Sequence, residues 1–292
     1  MPRIKALLAG HNVAAQFHCT QTPQEMESTT RRLIRGGAKV LLAMGGDGTL
    51  QMLANAVLGS DSTWDGAAGS DVVLGVLPAG GGNDFARALG LSGNAVAATG
   101  AILRGSIRWV DLARARTGDG RERLDCGGGG VGLDAEAARY AGEASARVPG
   151  RLRYVLAALR ALRSYAPIKV RAEFPDSALE PVEKKVLVAA ALNTPTYGAG
   201  LRLAPGASID DGLLDIVFVE ELTAREVAGV VLRWAVSEDL RTRRITRWTA
   251  SRVKLTTACP GAFQGDGEIL GPTPVEIEAV PRAMRILTGM PS

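Results

Sequence analysis

Short apolar runs alternate with helix-spaced runs through the first third of the chain. Val13–Thr20 has the character of a strand, and Gln24–Arg35 that of a polar helix. Lys39–Met44 is apolar after its first residue, which predicts a buried strand. Thr49–Leu58 follows as a helix with Leu50, Leu53, Ala54 and Val57 on one face. Val72–Leu77 is the next buried strand, and beyond a glycine loop come helical segments at Asp84–Ala88 and Ala95–Leu103. Strands alternating with helices in this way predict a parallel sheet with helices packed on it.

After Gly105 the pattern changes. Ile107–Arg114, Ile168–Phe174, Lys184–Leu192, Leu214–Val219, Arg252–Thr257, Val275–Val280 and Met284–Leu287 are strand candidates, separated mostly by Gly, Pro and Asp turns. Helical spacing returns at Arg151–Ser164 and from Thr223 to about Arg241, where Thr223 and Glu226 form a capping box. The simplest division is an α/β domain over residues 1–106 and a mainly β domain over 107–292.

Composition narrows the class. A chain of 292 residues with 46% hydrophobic and 22% charged residues is globular. Its three cysteines, Cys19, Cys126 and Cys259, are far apart and form no CxxC, which argues against a disulfide framework or a structural zinc site. A formal charge of +4 is too weak to indicate nucleic acid. No apolar run reaches the roughly 18 residues of a membrane span. Met1–Ala15 is a poor signal peptide, because Gly10, His11 and Asn12 break it, so the expected location is the cytoplasm.

The strongest chemical signal is Gly45-Gly46-Asp47-Gly48-Thr49, between a strand and a helix. Backbone N–H groups are free at such a turn and the helix dipole favours anions. Glycines allow close approach of a phosphate, Thr49 can cap the helix, and Asp47 can meet a metal or a hydroxyl. A tight strand–helix turn is the alternative, and would suffice for a lone Gly pair. The turn lacks the ending of a P-loop and the spacing of a dinucleotide loop. A second loop, Pro78 to Arg87, carries Gly80-Gly81-Gly82-Asn83-Asp84. In a parallel sheet the two loops converge on one crevice. As a plainer alternative, Asn83 or Asp84 is only a helix cap.

Together these loops resemble the diacylglycerol kinase catalytic-domain family, in its bacterial soluble lipid-kinase branch, related to sphingosine kinases. The similarity continues through Gly127–Ala135, through Asn193, Gly198, Gly200, Pro205 and Ala207, and into Asp211-Gly212-Leu213-Leu214-Asp215 and Gln264-Gly265-Asp266-Gly267-Glu268. The resemblance implies a Rossmann-like nucleotide-binding domain followed by a β-sandwich, with the active site in the cleft between them. It implies ATP contacts from Thr20, Gly45, Gly46, Asp47, Gly48, Thr49, Gly81, Asn83 and Asp84. Glu268 is the implied proton acceptor, with Asp266 beside it. It further implies Mg²⁺ held by the Asp211 carboxylate and by Ser208 and Leu213 through their carbonyls, and a second Mg²⁺ carried by ATP near Asp47.

The chain departs from that pattern in places. The family's first strand and its Asn-Pro loop have no counterpart, so the chain starts near the family's following helix. The usual Thr of the second loop is Gly81, and the Asn-Glu after the first turn is Gln51-Met52. The expected reaction is ATP-dependent phosphorylation of a primary hydroxyl, that of diacylglycerol, to give phosphatidic acid. The rivals are a NAD kinase, which shares the glycine turn, and a homologue that binds nucleotide or lipid without turnover. Arg151, Arg153, Arg160 and Arg163, and Arg241, Arg243, Arg244 and Arg247 before Trp248, read as solvated faces or as contacts with an anionic inner-membrane surface. His11 and His18 lack metal-ligand spacing, and Trp64, Trp109 and Trp234 read as packing residues. Self-association into a homodimer stays open.

Overall fold

The computed structural model describes residues 1–59, 71–91, 93–143, 156–157, 160–161, 165–235 and 242–289. The Arg151–Ser164 helix therefore lies almost wholly outside the described residues, as do Trp64 and Arg241.

Two helices, α1 (Pro2–Gly10) and α2 (Pro23–Arg35), precede the first strand, β1 (Val40–Gly45). α3 (Asp47–Leu58), β2 (Val73–Pro78), α4 (Asp84–Ala88) and α5 (Ala95–Arg104) complete the first unit. β1 and β2 are parallel, with Gly45 opposite Pro78, so both glycine loops leave the same end of the sheet. Ile4 and Leu8 of α1, one turn apart, join Leu50, Leu53 and Ala54 of α3 in the core around Leu74 and Val76.

The second unit is a sandwich. β3 (Ser106–Arg116), β4 (Glu122–Asp125), β6 (Ile168–Glu173), β7 (Val182–Val186), β11 (Arg252–Thr257) and β14 (Val275–Thr288) extend the first sheet. β5 (Gly128–Gly132), β8 (Val188–Leu192), β9 (Leu214–Val219), β10 (Ile245–Ala250), β12 (Ala262–Gly265) and β13 (Glu268–Pro272) make the second, in the order β10-β9-β8-β5-β12-β13. Val170, Leu255 and Ile277 of one sheet meet Val131, Ile216, Phe218 and Phe263 of the other in a common core. α6 (Leu133–Glu143) follows β5, and α7 (Ala224–Ala235) opens with the expected capping box, the Thr223 N–H donating to Glu226 Oε2 at 2.8 Å.

Several expectations are corrected. Val13–Thr20 forms no strand: among the described residues it makes no ladder pairing, and the outer edge of β1 stays open. β1 is buried on one face only: Ala43 lies in the core, while Val40, Leu42 and Met44, alternate residues on the opposite face, are 52%, 36% and 44% exposed. Lys184–Leu192 is two strands rather than one, because the chain passes at Leu187 from the first sheet to the second. Val275–Val280 and Met284–Leu287 are one strand with an irregularity between them. The half-buried ring of Trp248 packs edge-on to Phe218 at 5.3 Å, against the sandwich core. Arg247 donates from Nε to the Leu203 carbonyl at 2.6 Å and is likewise absorbed into the fold.

Candidate active site

The two glycine loops lie back to back. A Cβ on Gly80 would sit 2.4 Å from the Gly46 Cα, backbone against backbone, so the loops can touch only as glycines. Asn83 adopts a left-handed conformation (φ 58°) and its side chain closes the second loop, accepting from the Gly80 N–H at 3.1 Å and donating to the Gly80 carbonyl at 2.8 Å. It thus occupies the cap position of α4 without capping it. Asp47 does that instead, its two oxygens accepting the N–H groups of Asp84 and Phe85 at 3.1 Å each. Burial, reinforced by Asp84, raises Asp47 to about 6, against those two amides and Arg87, which lower it. Asp84 in turn accepts the Ala199 N–H at 3.0 Å, fastening the first unit to the second.

The Asp266-Gly267 pair turns between β12 and β13, two strands absent from the sequence-based candidates. Both residues have positive φ, 47° and 89°, the geometry of a two-residue hairpin. The Asp266 carboxylate accepts the N–H groups of Cys126 (2.6 Å) and Gly127 (2.9 Å). The Gln264 carbonyl oxygen of the side chain accepts the Gly267 N–H at 2.9 Å, and Gln264 is itself held by Tyr197 and Asp134. Glu268, at the start of β13, reaches the first glycine turn, since a Cβ on Gly48 would lie 3.6 Å from its Oε1. Burial raises the pKa of Asp266 well above the carboxylate range, with Asp125 and Asp47 acting in the same direction. Partial desolvation raises Glu268, opposed by Arg123.

Asp125 is the residue that sequence reasoning missed. It is fully buried, receives a hydrogen bond from Gln51 and is raised to about 7 by burial and, after the opposing Gln51 bond, by Glu268. Nothing in its local sequence marks it, because its partners come from positions 51 and 265.

Thr20 lies at the end of the extended segment before α2, and no described hydrogen bond links it to either glycine loop. The acidic loop after residue 207 forms a compact turn. Ser208 donates to Asp210 at 2.7 Å and the Leu213 N–H to Asp211 at 3.0 Å, while Asp111 accepts the Gly212 and Arg282 N–H groups. Among the described residues no three His, Cys, Asp or Glu side chains gather as a metal site. The donors here are oxygens, which suit a hard cation. Burial and then Asp211 raise both Asp215, to about 6, and Asp111, although two backbone N–H bonds act on Asp111 ahead of Asp211 in the lowering sense. That excess negative charge fits a cation at Asp211.

A cavity of about 460 Å³ lies beside the second glycine loop, lined by Gly81, Gly82, Asn83, Arg87, Thr196 and Arg202 among others. Its charged lining residues are both arginines. A glycine-built anion seat facing a carboxylate hairpin across two packed units is the arrangement that phosphoryl transfer to a hydroxyl requires.

Comparison with known proteins agrees with that class. The diacylglycerol kinase catalytic domain family matches residues 1–115, and the YegS C-terminal NAD kinase beta sandwich-like domain family matches residues 129–288. A diacylglycerol kinase of Mycobacterium tuberculosis (strain CDC 1551 / Oshkosh) is 30% identical over 254 residues, 86% of this chain and 77% of the relative. A Stenotrophomonas maltophilia (strain K279a) protein named as a YegS-like lipid kinase is 29% identical over 284 residues, 95% of this chain and 87% of the relative. A crystal structure of a diacylglycerol kinase from Bacillus anthracis str. Sterne superposes with a TM-score of 0.70 at 17% identity, over 99% of this chain and 90% of that one, and shares the fold. The chain belongs to the diacylglycerol kinase family of lipid kinases.

Proposed function

We propose that the protein transfers the γ-phosphoryl group of ATP to the primary hydroxyl of diacylglycerol, giving phosphatidic acid, and requires Mg²⁺. The observation that carries this reading is the hairpin at Asp266-Gly267-Glu268, pinned by the Cys126 and Gly127 amides with Glu268 directed at Gly48. The name of the Mycobacterium tuberculosis relative supplies the acceptor class. The N–H groups of the Gly45–Thr49 turn and the start of α3 bind the phosphate oxygens. Glu268 accepts the proton of the attacking hydroxyl, and its raised pKa makes it a stronger base than an exposed carboxylate. Asp47 with Asp84, and Asp211 with the Ser208 and Leu213 carbonyls, are the groups that would hold Mg²⁺. Bound there, Mg²⁺ supplies neutralisation of phosphate charge. The cavity lined by Arg87 and Arg202 lies beside the second glycine loop.

The test offers radiolabelled ATP with micellar diacylglycerol and, separately, with NAD. Label in phosphatidic acid is expected. Label in the dinucleotide alone, or ATP binding without transfer, would overturn the reading. Glu268→Gln keeps the shape and removes the base, so kcat is expected to fall roughly 10²–10⁴-fold with ATP affinity retained. Near-normal turnover in that variant would move the proton elsewhere.

The acceptor resides in a bilayer, so peripheral contact with the anionic inner face of the membrane belongs to the same reading. Arg243 and Arg244 are the exposed candidates, Arg244 also lying 3.6 Å from Glu226, while Arg247 and Trp248 make contacts within the fold. Changing both to Gln should weaken vesicle binding by about 2 kcal/mol at low salt, roughly 30-fold, since each basic residue near such a surface contributes about 1 kcal/mol. Unchanged co-sedimentation would return them to an ordinary solvated face.

A further inference from the structure

α3 presents Gln51 and Asn55, one helical turn apart, to the second unit. Asn55 donates from Nδ2 to the Leu124 carbonyl at 2.8 Å and accepts the Leu124 N–H at 3.0 Å, docking the helix on the β4 backbone. Gln51, 2% exposed, reaches further. Its Nε2 donates to the Asp125 carboxylate and, at 3.4 Å, toward the carbonyl of Gly265, the residue before the hairpin. Asp125 lies flat against that same glycine: a Cβ on Gly265 would come within 2.2 Å of its Oδ1. The next two residues, Cys126 and Gly127, are those whose N–H groups hold Asp266. A single hydrogen-bonded path therefore runs from the helix that begins at the glycine turn to the hairpin that carries Glu268.

We propose that Gln51 and Asp125 are a positioning pair that sets the spacing between the glycine turn and Glu268. Docking alone does not account for them. Asn55 already joins helix and strand through backbone bonds, whereas a buried carboxylate is costly, and apolar residues of similar size would pack the same space at less expense. The pair stands instead at the one point where the two halves of the reaction must register: the phosphate seat on α3 and the base on β13. A misplacement of about 1 Å between such groups can cost on the order of 10²-fold in rate. Gln51 lies two residues beyond the Gly45–Thr49 turn, and the structure gives it a partner in the second unit. The inference rests on Glu268 as the base.

The experiment measures kcat with saturating ATP and diacylglycerol, ATP affinity by equilibrium binding, and thermal stability. Asp125→Asn and Gln51→Leu are each expected to lower kcat about 10–100-fold with ATP affinity held within about threefold. Gln51→Glu sets two carboxylates face to face and should be worse. The double change Gln51→Glu with Asp125→Asn restores an amide–carboxylate pair in reverse, and should recover at least about tenfold over Gln51→Glu. Should Gln51→Glu not fold, the near-isosteric Asp125→Asn against the double change carries the comparison. Amide hydrogen exchange across Gly265–Glu268 should quicken in Gln51→Leu, a readout that needs no turnover. The inference is overturned by single variants that keep kcat within twofold, by a double variant no better than the worse single one, or by unchanged exchange at the hairpin. If the wild-type chain phosphorylates no lipid while exchange responds as expected, the functional reading falls and the positioning pair stands. If Glu268→Gln is inactive while the Gln51 and Asp125 variants are not, the reverse holds.

Discussion

At the scale of single residues, the site is a collection of carboxylates held where they are uncomfortable. Asp47 and Asp215 are raised to about 6 and Asp125 to about 7, each chiefly by burial. A folded-state pKa above the ordinary value of 3.8 means that the folded protein holds the proton more tightly than the unfolded chain. Their contribution to stability is therefore full below about pH 4 and is lost as pH rises toward 6 and 7. For Asp47 alone the rise from 3.8 to about 6 corresponds to as much as about 3 kcal/mol. We expect denaturant unfolding to show stability falling between pH 4.5 and 7.5 from these groups. Asp125→Asn should be more stable than wild type at pH 7.5 and lose that advantage at pH 4.5. A variant less stable at both values would show that the charge of Asp125 is compensated by the fold. Raised stability alongside lowered kcat would identify Asp125 as a group kept for function at the expense of the fold.

At the scale of elements, most helices and the longer apolar strands of the sandwich were legible because their information is local, whereas β4, β5, β10, β12 and β13 were not read as strands. The face of Leu50, Leu53 and Ala54 marks α3, and the Thr223–Glu226 pair marks the start of α7. What was illegible depends on neighbours. Val13–Thr20 has strand composition and no strand beside it, and Lys39–Met44 reads as central while lying at an edge. β5 is the converse. Four of its five residues are glycine, with no strand propensity, yet it is wholly buried and paired on both sides, by β8 and β12. Glycine is required there by proximity: a Cβ on Gly129 would lie 2.3 Å from the Gln264 carbonyl and 2.6 Å from the Phe263 ring. Gly129→Ala should therefore cost at least about 2 kcal/mol, despite the better propensity of alanine, because the obstruction includes backbone. Gly10→Ala, with nothing within 4 Å of the new atom, is the control and should be neutral or better. The glycine loops and the Asp-Gly-Glu hairpin were legible as chemistry. The Gln51–Asp125 contact was not, because it joins residues 74 positions apart through side chains that each look ordinary in their own segment.

At the scale of the whole molecule, β3 and β14 each place residues in both cores, and of the two β14 also pairs with β2 of the first unit. β14 pairs through its first half with β11 and through its whole length with β3, and Ile286 near its end sits opposite Leu74 of β2 in the parallel part of the sheet. Ile277 is buried in the sandwich core, while Met284 and Ile286 are buried in the core of the first unit. The last strand of the chain thus completes the first sheet, and neither core closes without it. Chains with two cores commonly unfold in two steps. Here the shared strand, with the Asp84–Ala199 bond and the α3–β4 seam, predicts a single step. Variants retaining only Trp109, beside the stretches of β3 and β14 that enter the first core, or only Trp248, packed against the sandwich core, report the two regions separately. Their denaturant midpoints should coincide. Ile286→Ala removes a fully buried side chain from the first core alone, at a cost of about 2–5 kcal/mol. If the strand couples the units, that change lowers both midpoints together. If the Trp248 signal stays in place while the Trp109 signal moves, the sandwich stands by itself, and register between the phosphate seat and Glu268 depends on the seam side chains rather than on a shared fold.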